Sequence, residues 1–144
     1  MDLPAKKASD LPRKGYTGEE ISDIYALGRT WLESGNVRRA ETVMNGINEV
    51  APDFSPAWLG SAYIKSLSGD LDGALAAAKS GLKCAPDSVE AMLYVVTLSL
   101  TLGDFSTAGT YLGEVGERIE DGHVVSPSAV RMYKMQLSRY QARN

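Results

Sequence analysis

Ser68-Gly69-Asp70-Leu71-Asp72-Gly73-Ala74 contains a pattern that runs through most of the chain. Gly69-Asp70 has a counterpart at Gly35-Asn36, 34 residues earlier, and another at Gly103-Asp104, 34 residues later. Each pair is followed at the same distance by an alanine: Ala40, Ala74 and Ala108. A second signal keeps the same phase, because Ala51-Pro52-Asp53 recurs as Ala85-Pro86-Asp87, again 34 residues on. A fixed period of this kind marks stacked repeats. The chain divides without gaps into 21–54, 55–88 and 89–122.

The residues at these points specify a helix–turn–helix unit. Glycine at a helix end can take the left-handed conformation that other residues resist. The adjoining Asn or Asp accepts hydrogen bonds from the free amides that open the next helix. The alanine that follows marks a close crossing of two helices. Pro52 and Pro86 stop the second helix of a unit from continuing. Working outward, Thr17-Gly18-Glu19-Glu20 reads as a capping box. Ser55-Pro56 and Ser126-Pro127 each read as a cap followed by a proline at the first helical position. Asp87-Ser88-Val89-Glu90 reads as a capping box with Asp87 as the cap. Helices are expected near 18–34, 37–50, 55–68, 71–84, 88–102, 105–119 and 127–142.

This pattern resembles the tetratricopeptide repeat (TPR). The first repeat supplies Ile24, Leu27, Gly28, Trp31, Ala40, Met44, Ile47 and Pro52, which fit the family's small and large apolar positions. The second departs at Lys65, where the family favours an aromatic residue. The third has Glu120 in place of the proline, so its last helix runs on or the repeat is atypical. The resemblance covers about 21–122 and implies an all-α solenoid of three repeats.

Outside the repeats, Val130, Tyr133, Leu137 and Tyr140 form an apolar stripe suited to cover the last repeat. Arg131, Lys134 and Arg139 would then face solvent. The expected organisation is a flexible tail at 1–16 and a TPR domain at 17–143 with a capping helix at 126–143. An alternative for the tail, with its Lys6, Lys7, Arg13 and Lys14, is an arm for dimerisation or partner contact.

Composition narrows the function. Apolar residues make up 44% of the 144, charged residues 23%, and the net charge is −3. That balance argues against a dedicated nucleic-acid binder. The longest apolar stretch, Ala91–Leu102, is interrupted by Thr97, Ser99 and Thr101 and is too short to span a bilayer. Asp2, Lys6 and Lys7 stand where a secretory signal needs its apolar core. A cytoplasmic location without membrane insertion is therefore expected. Cys84 is alone, so no intrachain disulfide can form, and it is expected to pack as a small hydrophobe. Cys and His are too few for a structural zinc site. His123 lies in a turn. Gly109, Gly113 and Gly116 sit mid-helix with no following Lys-Ser/Thr, so they suit close helix packing or a softer third repeat rather than phosphate. No catalytic, cofactor or metal site is expected.

The resemblance implies that the first helix of each repeat lines a concave groove. In this sequence the groove positions are Ser22, Tyr25, Arg29, Leu32 and Glu33, then Pro56, Leu59, Tyr63, Ser66 and Leu67, then Glu90, Leu93, Thr97, Leu100 and Thr101. The expected contact residues among them are Tyr25, Arg29, Leu32, Leu59, Tyr63, Ser66, Leu67, Leu93, Thr97 and Leu100. An apolar strip of this kind calls for something to cover it. The candidates are a protein or peptide client, the chain's own C-terminal helix, or a dimer partner. TPR adaptors for chaperone tails carry a carboxylate clamp, but the matching places here hold Tyr25, Arg29, Gly60, Glu90 and Tyr94. Only Arg29 suits a carboxylate. Trp58–Tyr63 and Ser68–Ala74 also align without gaps with the TPR chaperones of bacterial type III secretion translocators. That resemblance implies an extended client segment held by Tyr25, Leu59, Tyr63, Leu67 and Leu93, and dimerisation through the N-terminal region. The competing reading is a scaffold that bridges subunits of a larger complex.

Overall fold

The structure, a computed structural model, describes residues 15–123 and 125–143. The tail at 1–16, with its alternative role as an arm, lies almost wholly outside the described residues. Seven helices follow one another: α1 (Gly18–Glu33), α2 (Val37–Val50), α3 (Ser55–Leu67), α4 (Leu71–Cys84), α5 (Val89–Leu102), α6 (Phe105–Glu120) and α7 (Pro127–Gln141).

The turns inside the pairs are built as glycine chemistry requires. Gly35, Gly69 and Gly103 take φ of +85°, +84° and +83°, where a side chain would be strained. Asn36, Asp70 and Asp104 then cap α2, α4 and α6, accepting from the amides of Arg39, Gly73 and Thr107. Ala40, Ala74 and Ala108 are fully buried. The Thr17–Glu20 capping box of α1 is present in both directions.

Two expected caps are displaced. Phe54 precedes α3 and makes no side-chain cap; Ser55 is already helical, and its Oγ donates to the Gly81 carbonyl across the pair. α5 is capped by Ser88, whose Oγ accepts from the Ala91 amide at 3.1 Å. Asp87 instead pairs with Arg118 of α6 at 3.0 Å. In the third pair α6 runs on to Glu120, where no proline stops it. Cys84 also departs from expectation: its half-buried thiol donates to the Pro52 carbonyl, which the Trp58 indole N–H shares.

The helices pack as neighbouring pairs, α1 with α2, α3 with α4 and α5 with α6; α3 lies on α2, and α5 on α4. Ile21, Ala40, Met44, Ile47, Ala57 and Ile64 form the core of the first units. A larger cluster from Leu59 to Val115 joins α3 through α6. α7 rests on both α5 and α6. Tyr133, Leu137 and Tyr140 pack onto Val96, Leu100, Ala108 and Leu112. Val130 is half-buried, and the buried residue of α7 is Gln136. The α6 glycines have distinct parts in this contact. A Cβ at Gly109 would lie 2.7 Å from the Tyr140 hydroxyl, and one at Gly116 2.7 Å from that of Tyr133, whereas Gly113 faces open space.

Candidate functional site

The first helices of the three pairs, α1, α3 and α5, line two adjoining hollows. The first has a volume of about 540 Å³. Tyr25, Arg29, Leu32 and Glu33 of α1 line it, with Leu59, Gly60 and Tyr63 of α3 and Glu90 and Tyr94 of α5. The second, about 580 Å³, is lined by Tyr63, Ser66, Glu90, Leu93, Tyr94, Thr97 and Leu98. Its remaining wall is α7, through Ser126, Ser128, Ala129 and Met132.

Local contacts fix the polar groups of the first hollow. Tyr25 packs edge-on against Phe54, with ring centroids 5.6 Å apart. Its hydroxyl accepts from the Arg29 guanidinium at 3.2 Å, and Glu33 lies 3.7 Å from the same guanidinium. The Tyr94 phenol is held above its ordinary range, first by burial and then by the Glu90 carboxylate, with Arg29 opposing. Tyr25 and Tyr63 push the same way as Glu90. Three phenols, an arginine and a carboxylate therefore share one electrostatic neighbourhood.

Of the sequence-expected residues, Tyr25, Arg29, Leu32, Leu59 and Tyr63 line the first hollow, and Tyr63, Ser66, Leu93 and Thr97 the second. Leu59 and Leu93 are each only 5% exposed, so they offer the hollows an edge and the core a body. Leu67 and Leu100 line neither. Leu67 stands 56% exposed, and Leu100 is buried under α7.

No protein-family model matches this chain, and no curated protein is significantly similar to it. Solved structures are. The type III secretion translocator chaperone SycD of Yersinia enterocolitica superposes with a TM-score of 0.75 at 16% identity, over 89% of this chain and 88% of that one. SycD in complex with a peptide of the translocator YopD gives 0.72 at 17% identity, over 88% and 93%. The TPR2B domain of yeast Sti1 in complex with pHsp70 gives 0.72 at 15% identity, over 84% and 95%. This chain has the TPR fold.

Within that fold α7 stands where the first helix of a fourth TPR would begin, and it leans on α5 more closely than α3 leans on α1. Ala129 and Met132 on this helix line the second hollow. The sequence stripe on α7 showed the flank that packs on the last repeat and gave no sign of this second flank. Glu90, expected in the sequence as a groove and a clamp position, and Tyr94, considered there only as a clamp position, line both hollows. Among the described residues no cluster of His, Cys, Asp and Glu could hold a metal ion, and no helix is long and apolar enough to cross a membrane. His123 is exposed in the turn after α6, its amide bonded to the Arg118 carbonyl.

Proposed function

We propose that this TPR domain holds an extended segment of a client protein in its concave groove, as a cytoplasmic chaperone of a bacterial secretion system. The carrying observation is the pair of hollows that meet at Tyr63, Glu90 and Tyr94. Together they make a continuous trough with apolar walls and a few hydrogen-bonding groups, the composition of a ligand site. Tyr63 is 43% exposed there, an amphipathic ring with nothing among the described residues to cover it. α7 walls the second hollow without filling it, so its presence does not substitute for a client. The complexes of SycD with a peptide of YopD and of the Sti1 TPR2B domain with pHsp70, which share this fold, support this reading. The role of Tyr25, Arg29, Leu32, Leu59, Tyr63, Ser66, Leu93 and Thr97 as client contacts is part of the proposal.

The test is affinity capture of the tagged protein from its own host, followed by mass spectrometry and binding measurements with the captured protein. One dominant client is expected. Tyr63→Ala should weaken it by about 1–3 kcal/mol, the scale of an interface hot spot. Leu67→Ala, outside both hollows, should change affinity little. Recovery of several structural subunits, retained by the Tyr63 variant, would favour a scaffold instead.

A further inference from the structure

Tyr63, Glu90 and Tyr94 form the ridge shared by the two hollows. Glu90 stands in the first turn of α5, exposed, and makes no ion pair among the described residues. The other charges of the first hollow, Arg29 and Glu33, offset each other at 3.7 Å. Tyr25 holds the same guanidinium on α1. The second hollow has no charged lining residue besides Glu90. Among the described residues the trough thus carries one uncompensated negative charge, placed at its middle. The rings of Tyr63 and Tyr94 stand beside it, and an aromatic face attracts a cation.

Resting on the peptide-holding reading above, we propose that the groove selects a cationic-apolar segment. A lysine or arginine of the client sits against Glu90 and the Tyr63 and Tyr94 rings, and a neighbouring apolar side chain enters the second hollow against Leu93, Ala129 and Met132. An acidic segment is rejected at the same ridge, since its carboxylate would face Glu90 with Arg29 already engaged. A carboxylate in a first turn also favours the helix dipole. That structural role would not distinguish one peptide from another, so selectivity separates the two.

The experiment uses an arrayed series of synthetic extended peptides with leucine or methionine anchors. The residue beside an anchor is set to Lys, Gln or Glu, and binding to the full chain is read by fluorescence anisotropy. The Lys peptides should bind about tenfold more tightly than their Glu counterparts, with Gln between, the combined scale of an exposed ion pair and a cation–π contact. Glu90→Gln should shrink the Lys-over-Glu ratio to about threefold, the share that a cation–π contact with Tyr63 and Tyr94 still supplies, and Glu90→Lys should reverse the order. Equal binding by the native protein, or a Lys-over-Glu ratio that Glu90→Gln leaves at its native value, would overturn the charge selection and leave the groove reading standing. If no peptide binds, or if Tyr63→Ala leaves binding intact, the groove reading fails and the selection fails with it.

Discussion

An added Cβ at Gly113 meets nothing within 4 Å, while at Gly109 and Gly116 it would press on tyrosine hydroxyls of α7. The three glycines look alike in sequence, yet their substitutions should differ in sign. Gly113→Ala should raise stability by about 0.5–1 kcal/mol, because alanine costs less to order in a helix. Gly109→Ala with Gly116→Ala gains the same propensity but has to displace Tyr140 and Tyr133, so chemical denaturation should show no net gain or a loss. Asp104 supplies a second test. Hydrogen bonds from the Thr107 hydroxyl and then the Thr107 amide hold its carboxyl below the usual range, with Lys79 adding to the shift against a small opposing effect of burial. A carboxylate depressed in the folded state stabilises above its unfolded pKa, and that stability is lost as pH falls through the folded value. Asp104→Ala should therefore melt lower than the native chain at neutral pH, with the gap narrowing on acidification through the carboxylate range. A gap independent of pH would mean that the charge contributes nothing.

Among the elements, α7 differs from the six helices of the pairs because it has no partner of its own. Removing 126–144 would uncover Val96, Leu100, Ala108 and Leu112 and take away one wall of the second hollow. The truncated chain should keep the helicity of α1 to α4, bind a hydrophobic dye, and bind peptide more weakly. A truncated chain with native dye response would show that α5 and α6 do not need the cover. The same helix shows what sequence could and could not tell. Its packing flank was legible because Tyr133, Leu137 and Tyr140 recur at helical spacing. Met132 was not, because period alone does not reveal which second flank of a terminal helix borders the groove. The pairs themselves were legible from punctuation: left-handed glycines, Asx caps and buried alanines are local requirements written into single residues. The caps at Ser55 and Asp87 were misplaced by one residue, since Ser, Pro and Asp stood side by side and tertiary partners chose among them. The groove was legible in part for a related reason. Leu59 and Leu93 line the hollows but are otherwise buried in the core, and Leu100 is covered by α7, because spacing along a helix does not say how deep its neighbours bury each leucine.

At the scale of the molecule, the core is divided rather than uniform. Met44 fills the space beneath Gly28 and Gly60, where an added Cβ would come within 3.0 Å or less of its side chain, and it belongs to the α1–α3 cluster. Met92 belongs to the cluster that joins α3 to α6. Both are fully buried, so truncating either to alanine should cost about 2–5 kcal/mol. The consequences should differ in extent, because stability in a stacked repeat is a sum over units and their nearest-neighbour contacts. Met44→Ala should open α1 and α2 as a unit and leave α4 to α6 protected in hydrogen exchange. Met92→Ala should lower protection from α3 through α7. The groove links this to function. The first hollow takes Tyr25, Arg29, Leu32 and Glu33 from α1, while no lining residue of the second comes from there. Met44→Ala should therefore weaken contacts made in the first hollow while anchoring in the second persists. Uniform loss of protection in both variants would instead mean that the helices unfold as one cooperative body, and the two hollows would then fail together.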